Sequence, residues 1–191
     1  MSRAPVLLII IASTRPGRVG GPVAEWFAGI AREHGGFQVE VVDLRMVGLP
    51  FFDEPRHPRF GDYEHTHTKA WSATVSRGDA FVFVTPEYNH GFNAVLKNAL
   101  DFLNAEWAFK PGGIVSYGGV SAGTRAAQML KQVLSALKVV VVGEAVNIPF
   151  VAQFVTDDGS VAANDVMEGA AKAMLDELLR VAPHLQQLRP G

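Results

Sequence analysis

The segment Val6–Ala12 reads VLLIIIA, and it is followed at once by Ser13–Arg18, which reads STRPGR. An unbroken apolar run rich in branched residues indicates a strand that is buried on both faces, as in a parallel sheet. The polar turn ends this strand, and the apolar spacing of Val23, Phe27 and Ile30 then predicts a helix. A buried strand that enters a helix through a short turn is typical of an α/β fold.

The rest of the chain repeats this alternation of strands and helices. Further strands are predicted at residues 37–43, 80–85, 113–117 and 139–142. Helices are predicted at 63–77, from about 95, after 123 and at 165–188, with an ordered loop at 44–62 and a small turn at 157–160. The pattern therefore predicts a parallel sheet covered by helices on both faces, in a single domain over residues 1–191.

The composition limits the class of protein. The chain has 191 residues, of which 48% are hydrophobic and 19% charged, so a real core is expected rather than disorder. A net charge of -2 gives no basic face for nucleic acid, and the lack of cysteine excludes disulfides and thiolate chemistry. The first apolar run is too short to span a membrane, and no cleavage-site pattern follows it, so we expect a cytoplasmic protein.

The turn after the first strand carries the groups of an anion site. A helix N-terminus offers free N–H groups and the positive end of the helix dipole. The hydroxyls of Ser13 and Thr14 lie beside it, and the guanidinium groups of Arg15 and Arg18 match phosphate oxygens with parallel hydrogen bonds. Neither a P-loop motif nor G-x-G-x-x-G follows this strand, which disfavours a P-loop NTPase and a standard dinucleotide domain.

Two later loops also follow predicted strands, where ligands bind in open α/β sheets. Residues 86–91, PEYNHG, offer backbone amides, a phenol and a side-chain amide that could border a planar heterocycle. Residues 117–123, YGGVSAG, have little side-chain bulk, so a planar ring could lie directly against their backbone. Each loop alone could be an ordinary turn, but three such loops at matching strand ends indicate one site.

These three loops and the helical segment Leu96–Asp101, LKNALD, resemble the motifs of the NAD(P)H-dependent FMN reductases. This flavodoxin-fold family includes quinone, azo-dye and chromate reductases, and the similarity covers about residues 5–150. The resemblance implies a flavodoxin-like three-layer sandwich with a five-stranded parallel sheet of order 2-1-3-4-5. Ala12 is a departure, because the family commonly has glycine before the serine.

The resemblance also implies an FMN site built from three groups of residues. The phosphate is expected to be held by the side chains of Ser13, Arg15 and Arg18. Backbone near Gly20 and Val23 is expected to contribute as well. One border of the isoalloxazine is expected on the second loop: Pro86, Glu87, Tyr88 and Asn89. Its other edge is expected on the third loop: Tyr117, Gly118 and Gly119.

The implied reaction moves a hydride from NADPH or NADH to the flavin, and then electrons to a small acceptor through the same pocket. The acceptor class is a quinone, azo compound, flavin or metal oxyanion, and a homodimer or homotetramer with flavin near the interface is expected. No catalytic side chain or metal is required, because the flavin carries the chemistry. His90 could be a turn residue or a proton donor, and Trp107 an interface residue or a pocket wall.

Two other functions stay open at this stage. A flavodoxin-like electron carrier would bind FMN without a nicotinamide substrate, but such carriers are usually strongly acidic and this chain is nearly neutral. A binding module could use the same fold without flavin. The sequence does not choose between NADH and NADPH, because no acidic or basic residue is placed to read the ribose 2′ position.

Overall fold

A parallel sheet of five strands in the order β2-β1-β3-β4-β5 forms the centre of the computed structural model, which describes residues 3–189. The strands are β1 (Val6–Ile11), β2 (Gln38–Asp43), β3 (Ala80–Pro86), β4 (Pro111–Tyr117) and β5 (Val140–Ile148). The three central strands are buried at every position, as their continuous apolar sequences require. This confirms the predicted flavodoxin-like sheet and its strand order.

Six α-helices accompany the sheet over the described residues. They are α1 (Gly20–His34), α2 (Leu44–Val47), α3 (Thr66–Arg77), α4 (Ala94–Asp101), α5 (Thr124–Ala136) and α6 (Asp165–Gln186). Val23 and Phe27 of α1 share one core cluster with Leu175 of α6 on one face of the sheet. Trp71 of α3 and Leu130 of α5 belong to the cluster on the opposite face. The fold therefore has three layers, which are the sheet and a layer of helices on each of its faces.

Two segments differ from the sequence prediction. The fifth strand was predicted to end at Val142, but it continues to Ile148, because a bulge opposite β4 absorbs the residues around Gly143 and pairing resumes at Ala145. The predicted loop at 44–62 contains α2, which begins where Asp43 accepts a hydrogen bond from the Arg45 amide at 2.9 Å, and a 3₁₀ turn at Pro58–Phe60.

Trp107 belongs to the core, so both roles that the sequence left open for it are wrong. Its ring packs at 5.0 Å from that of Phe81 and its indole N–H donates to the carbonyl of Leu100 at 3.2 Å. The small turn at 157–160 is confirmed by an antiparallel bridge between Val155 and Val161. In the part of the chain that the structure describes, every helix is too short or too polar to cross a membrane.

Candidate functional site

The turn between β1 and α1 leaves its backbone donors open. Among the residues that the structure describes, no acceptor lies at ordinary hydrogen-bond geometry to the N–H groups that residues 13–21 carry, Pro16 having none. Val19, at the N-cap position of α1, gives no side-chain cap, and the first turn of the helix has no acidic residue. Arg15 is exposed beside these donors. Such a group of aligned N–H donors at a helix N-terminus fits a phosphate.

Ser13, Gly20 and Tyr117 meet beneath this turn. The hydroxyl of Tyr117 donates to Oγ of Ser13 at 3.1 Å, which joins the first and third loops across 104 residues of sequence. A Cβ on Gly20 would lie 2.3 Å from Ser13 Oγ and 2.6 Å from the Tyr117 hydroxyl, so only glycine fits there. Burial raises the pKa of Tyr117 to about 12, which keeps the phenol protonated and able to donate.

Arg18 is engaged inside the turn, and its expected contact with the phosphate stays a prediction. One terminal nitrogen donates to Asp43 Oδ1 at 2.7 Å and also to the carbonyl of Ser13, and the other pairs with Asp43 Oδ2. Burial alone would raise the pKa of Asp43. The hydrogen bonds from Arg18 and the Arg45 amide lower that pKa by more than burial raises it, so the carboxylate stays charged. Arg18 therefore fixes the turn to the end of β2.

Val23 lies near the start of α1, and the phosphate contact that the resemblance implies near its backbone stays a prediction. Its side chain is fully buried in the core, and its N–H donates to the carbonyl of Val19 at 3.1 Å within the helix. Because the first turn of a helix lacks such partners, the open N–H groups are those of Gly20 and Gly21. Ala12, the departure from the family pattern, is buried in the opposite core cluster.

The second loop is a tight turn at the end of β3. Tyr88 and Gly91 exchange two backbone hydrogen bonds of 2.8 and 3.0 Å, and the residues between them, Asn89 and His90, have φ of 49° and 72°. Two successive positive φ angles define a type I′ turn, which is unfavourable for a histidine. Tyr88 is 41% exposed, so its ring is available to a ligand.

The carboxylate of Glu87 contacts the third loop and α5, and the expectation that Glu87 borders the ring stays a prediction. It accepts hydrogen bonds from the Ser121 hydroxyl at 3.0 Å and from Nε of Arg125 at 2.6 Å. The backbone N–H of Glu87 donates to the carbonyl of Tyr117 at 3.1 Å. Glu87 therefore joins the second loop to the third.

The third loop is held by backbone hydrogen bonds to the end of β5. Gly118 donates to the carbonyl of Ile148 at 3.2 Å, and the carbonyl of Gly119 accepts from Phe150 at 3.1 Å. The N–H groups of Gly119 and Val120 have no acceptor among the described residues. The loop thus presents open donors and no side-chain bulk at its two glycines, as a planar ring would need.

Sequence reasoning gave no role to two residues that hold the site. Asn98, within the LKNALD motif, donates from its amide to the carbonyl of Pro50 at 2.7 Å and accepts from the N–H of Phe52 at 2.9 Å. It therefore fixes the long segment after β2 to α4. An asparagine inside a helical motif was the available signal, since this residue is a poor helix former. Arg125, the partner of Glu87, gave no signal that distinguishes it from surface charge.

Comparison with solved structures defines the class. The FerB flavoenzyme, an NAD(P)H:(acceptor) oxidoreductase from Paracoccus denitrificans, matches 94% of this chain and 98% of its own, with a TM-score of 0.75 at 20% identity. Two-electron reduced Megasphaera elsdenii flavodoxin matches 90% of this chain and 99% of its own, with a TM-score of 0.57 at 13% identity. At these identities the likeness shows a flavodoxin-like fold.

Sequence comparison defines the family. The family model for NADPH-dependent FMN reductase matches residues 5–153. An NAD(P)H-dependent FMN reductase of Schizosaccharomyces pombe is 45% identical over 136 residues, which cover 70% of this chain and 68% of the relative. A probable NADPH:quinone oxidoreductase of Oryza sativa subsp. japonica is 34% identical over 135 residues, which cover 68% of this chain and 67% of the relative.

The chain therefore belongs to the NADPH-dependent FMN reductase family. It is an FMN-dependent oxidoreductase that uses NAD(P)H, as its motifs predicted. Membership in this family disfavours both the electron carrier without a nicotinamide substrate and the flavin-free binding module.

Proposed function

We propose that the protein reduces a small acceptor, with quinones as the first candidates, by a two-step exchange through one pocket beside FMN. Support comes from the family and from two relatives: a probable NADPH:quinone oxidoreductase of Oryza sativa subsp. japonica and a 2-hydroxy-1,4-benzoquinone reductase of Burkholderia sp. The observation that carries the proposal is the row of backbone donors at residues 13–21 that have no acceptor among the described residues. This row fits the phosphate of FMN at the carboxyl ends of the strands.

In this proposal the first turn holds the cofactor by its phosphate. The N–H groups of residues 13–21 donate to the phosphate oxygens, and the exposed guanidinium of Arg15 adds charge-assisted hydrogen bonds. Ser13 acts through Tyr117, and Arg18 acts through Asp43, because each side chain already holds that partner. Ser13 and Arg18 thus shape the turn, while Arg15 and the backbone bind the anion.

The ring is proposed to lie between the second and third loops. The N–H groups of Asn89 and Gly119, which have no acceptor among the described residues, donate to its polar edge. Tyr88 is partly exposed and limits the pocket, and Gly118 and Gly119 allow the ring to approach the backbone. FMN, when bound, supplies hydride transfer from the nicotinamide and electron transfer to the acceptor.

We also propose that the chain forms a homodimer whose interface includes the segment after β2. Met46, Phe51 and Phe60 of this segment are 80%, 87% and 63% exposed, which is a large apolar surface for a monomer to leave in water. The segment adjoins the site, because Leu49 lines a cavity together with Thr14 of the first turn. Sedimentation analysis of wild type and of a Phe51→Ser variant tests this, with a shift toward monomer expected for the variant.

The cytoplasmic location stays a prediction.

The proposed reaction is tested by following the visible absorbance of the flavin. Purified protein loaded with FMN is mixed anaerobically with NADPH, and in a second run with NADH. Rapid loss of flavin absorbance, followed by recovery when a benzoquinone is added, is the expected result. Protein that retains FMN but is reduced by neither nicotinamide would contradict the proposal.

A further inference from the structure

The carboxylate of Glu87 caps a helix that belongs to another loop. The side chain is only 6% exposed, and it accepts from the Arg125 backbone N–H at 3.2 Å, in the first turn of α5. Gly123 precedes this helix and offers no side-chain cap, so Glu87 supplies the missing acceptor and a negative charge at the positive end of the dipole. Burial alone would raise the pKa of Glu87. The hydrogen bonds from Arg125 and Ser121 outweigh burial and hold the pKa below its ordinary value.

Arg125 extends this contact to the strained turn. One of its terminal nitrogens lies 2.9 Å from Nε2 of His90, and the other donates to the Ser121 hydroxyl at 2.8 Å. Since a guanidinium can only donate, Nε2 of His90 is the acceptor. Glu87 directly precedes the turn Tyr88–Gly91 and His90 lies within it, so Arg125 holds the second loop at two points.

The turn that Arg125 holds is one that the chain would not adopt easily by itself. Asn89 and His90 both have left-handed backbone, which asparagine adopts readily but which costs more for histidine than for glycine. Strain of this kind persists where surrounding contacts determine it, and it is common at ligand-binding loops. Arg125 contacts both Glu87 and His90, while Ser121 and the carbonyl of Tyr117 contact Glu87 alone.

We propose that Arg125 is a positioning residue that holds the turn Tyr88–Gly91 against the flavin ring through Glu87 and His90. This inference rests on the proposed place of the ring between the second and third loops. Arg125 acts on the ring and not on the phosphate, since it contacts neither the first turn nor Arg15 among the contacts described. Its loss should therefore change quantities that depend on the ring and spare those that depend on the phosphate.

The experiment compares wild type with the variants Arg125→Ala, Arg125→Lys and Glu87→Gln. The matched control is Arg180→Ala, because Arg180 makes a similar two-bond pair with Glu177, at 2.8 and 2.6 Å, on the distant helix α6. For each protein we would measure the affinities for FMN and riboflavin, the rate of flavin reduction by NADPH at saturating FMN, and the melting temperature. Reactions are run well below the lowest melting temperature.

For Arg125→Ala we expect the rate of flavin reduction to fall about 10-fold or more, since small misplacement of reacting groups has effects of this size. The affinities for FMN and riboflavin should fall by the same factor, which leaves their ratio unchanged. Arg125→Lys and Glu87→Gln should retain more of the rate than Arg125→Ala, because each keeps some of the contacts. Arg180→Ala should match wild type in rate and affinity.

Three results would overturn the inference. These are an Arg125→Ala rate equal to that of the control, a lowered melting temperature with no change in rate, and a loss of FMN affinity larger than the loss of riboflavin affinity. A wild-type protein that binds no FMN, or that NADPH does not reduce, would count against the proposed function instead. The two failures are therefore separate.

Discussion

The two ends of the sheet differ in whether their polar groups have hydrogen-bond partners. At the amino end, Asp79 accepts from the N–H of Val6 at 3.0 Å and from Arg189 at 2.9 Å, and the amine of Lys110 donates to the carbonyl of Val75 at 3.1 Å. At the carboxyl end, the N–H groups of residues 13–21 have no acceptor among the described residues. Backbone donors are normally satisfied, so an open row at one end only indicates where a ligand supplies the acceptors.

The largest expected effect of a small change lies at the carboxyl end. Gly20→Ala places a methyl group within 2.6 Å of both Ser13 Oγ and the Tyr117 hydroxyl, and relief of this overlap must move the first or the third loop. Overpacking of this kind costs about 3 kcal/mol, which predicts an FMN dissociation constant raised about 100-fold. Fluorescence titration with FMN measures it.

Gly29→Ala is the matched control, because Gly29 lies further along α1 and nothing lies within 4 Å of the added carbon. It should bind FMN as wild type does. Equal affinities for the Gly20 and Gly29 variants would show that the contact between the first and third loops does not shape the site.

The next effect concerns Lys110 at the amino end. Burial lowers the pKa of its amine from 10.5 to about 8, so between these values the unfolded chain binds more protons than the folded one. Stability therefore rises with pH across this range, and the gain attributed to Lys110 is about 2 kcal/mol from pH 7 to 10. Lys110→Met should remove this gain.

Urea unfolding at the two pH values measures the difference between wild type and Lys110→Met, which cancels the titration of other groups. The control is Lys172→Met, which replaces an exposed lysine on α6. The gain in stability from pH 7 to 10 should be the same in this variant as in wild type. A constant gap between wild type and Lys110→Met at both pH values would contradict the buried, charged amine. FMN affinity at pH 7 should be unchanged, since Lys110 lies at the opposite end of the strands from the proposed flavin site.

The smallest expected effect comes from Asp79. Asp79→Ala removes the acceptor for Val6 and Arg189, both partly buried, and should lower the free energy of unfolding by about 1–2 kcal/mol. The FMN dissociation constant should stay within about twofold of wild type, since the change lies at the opposite end of the strands. Thermal unfolding combined with FMN titration checks both values. A variant of normal stability and weakened FMN binding would reverse the roles assigned to the two ends.

The fold was predictable because the central strands are continuous apolar segments bounded by polar turns. The three site loops followed from their places after predicted strands, strand order followed from the resemblance, and the structure confirms the order. The end of β5 was not predictable, because Gly143 and Glu144 interrupt its apolar pattern and only pairing with β4 shows that the strand continues. Local pattern identifies a buried strand better than an edge strand with a bulge.

The site was predictable as three loops but not as individual contacts. Ser13, Arg18 and Glu87 have the residue types of ligand contacts, yet their side chains are occupied by Tyr117, Asp43 and Arg125. These partners lie 104, 25 and 38 residues away in sequence, and no local pattern encodes such pairings. Backbone near Val23 was implied by the resemblance alone, and only the folded helix shows that the Val23 N–H already donates to Val19.

The affinity difference between FMN and riboflavin tests the central claim most directly, because the two ligands differ by the phosphate alone. We predict that wild type binds FMN at least about 100-fold more tightly, and that Arg15→Ala removes about 10-fold or more of that difference while riboflavin affinity stays unchanged. Arg32→Ala, at the far end of α1, should retain the full difference. If wild type bound riboflavin as tightly as FMN, the phosphate would not be held by the turn after β1, and if Arg15→Ala kept the full difference, Arg15 would not contribute to holding it.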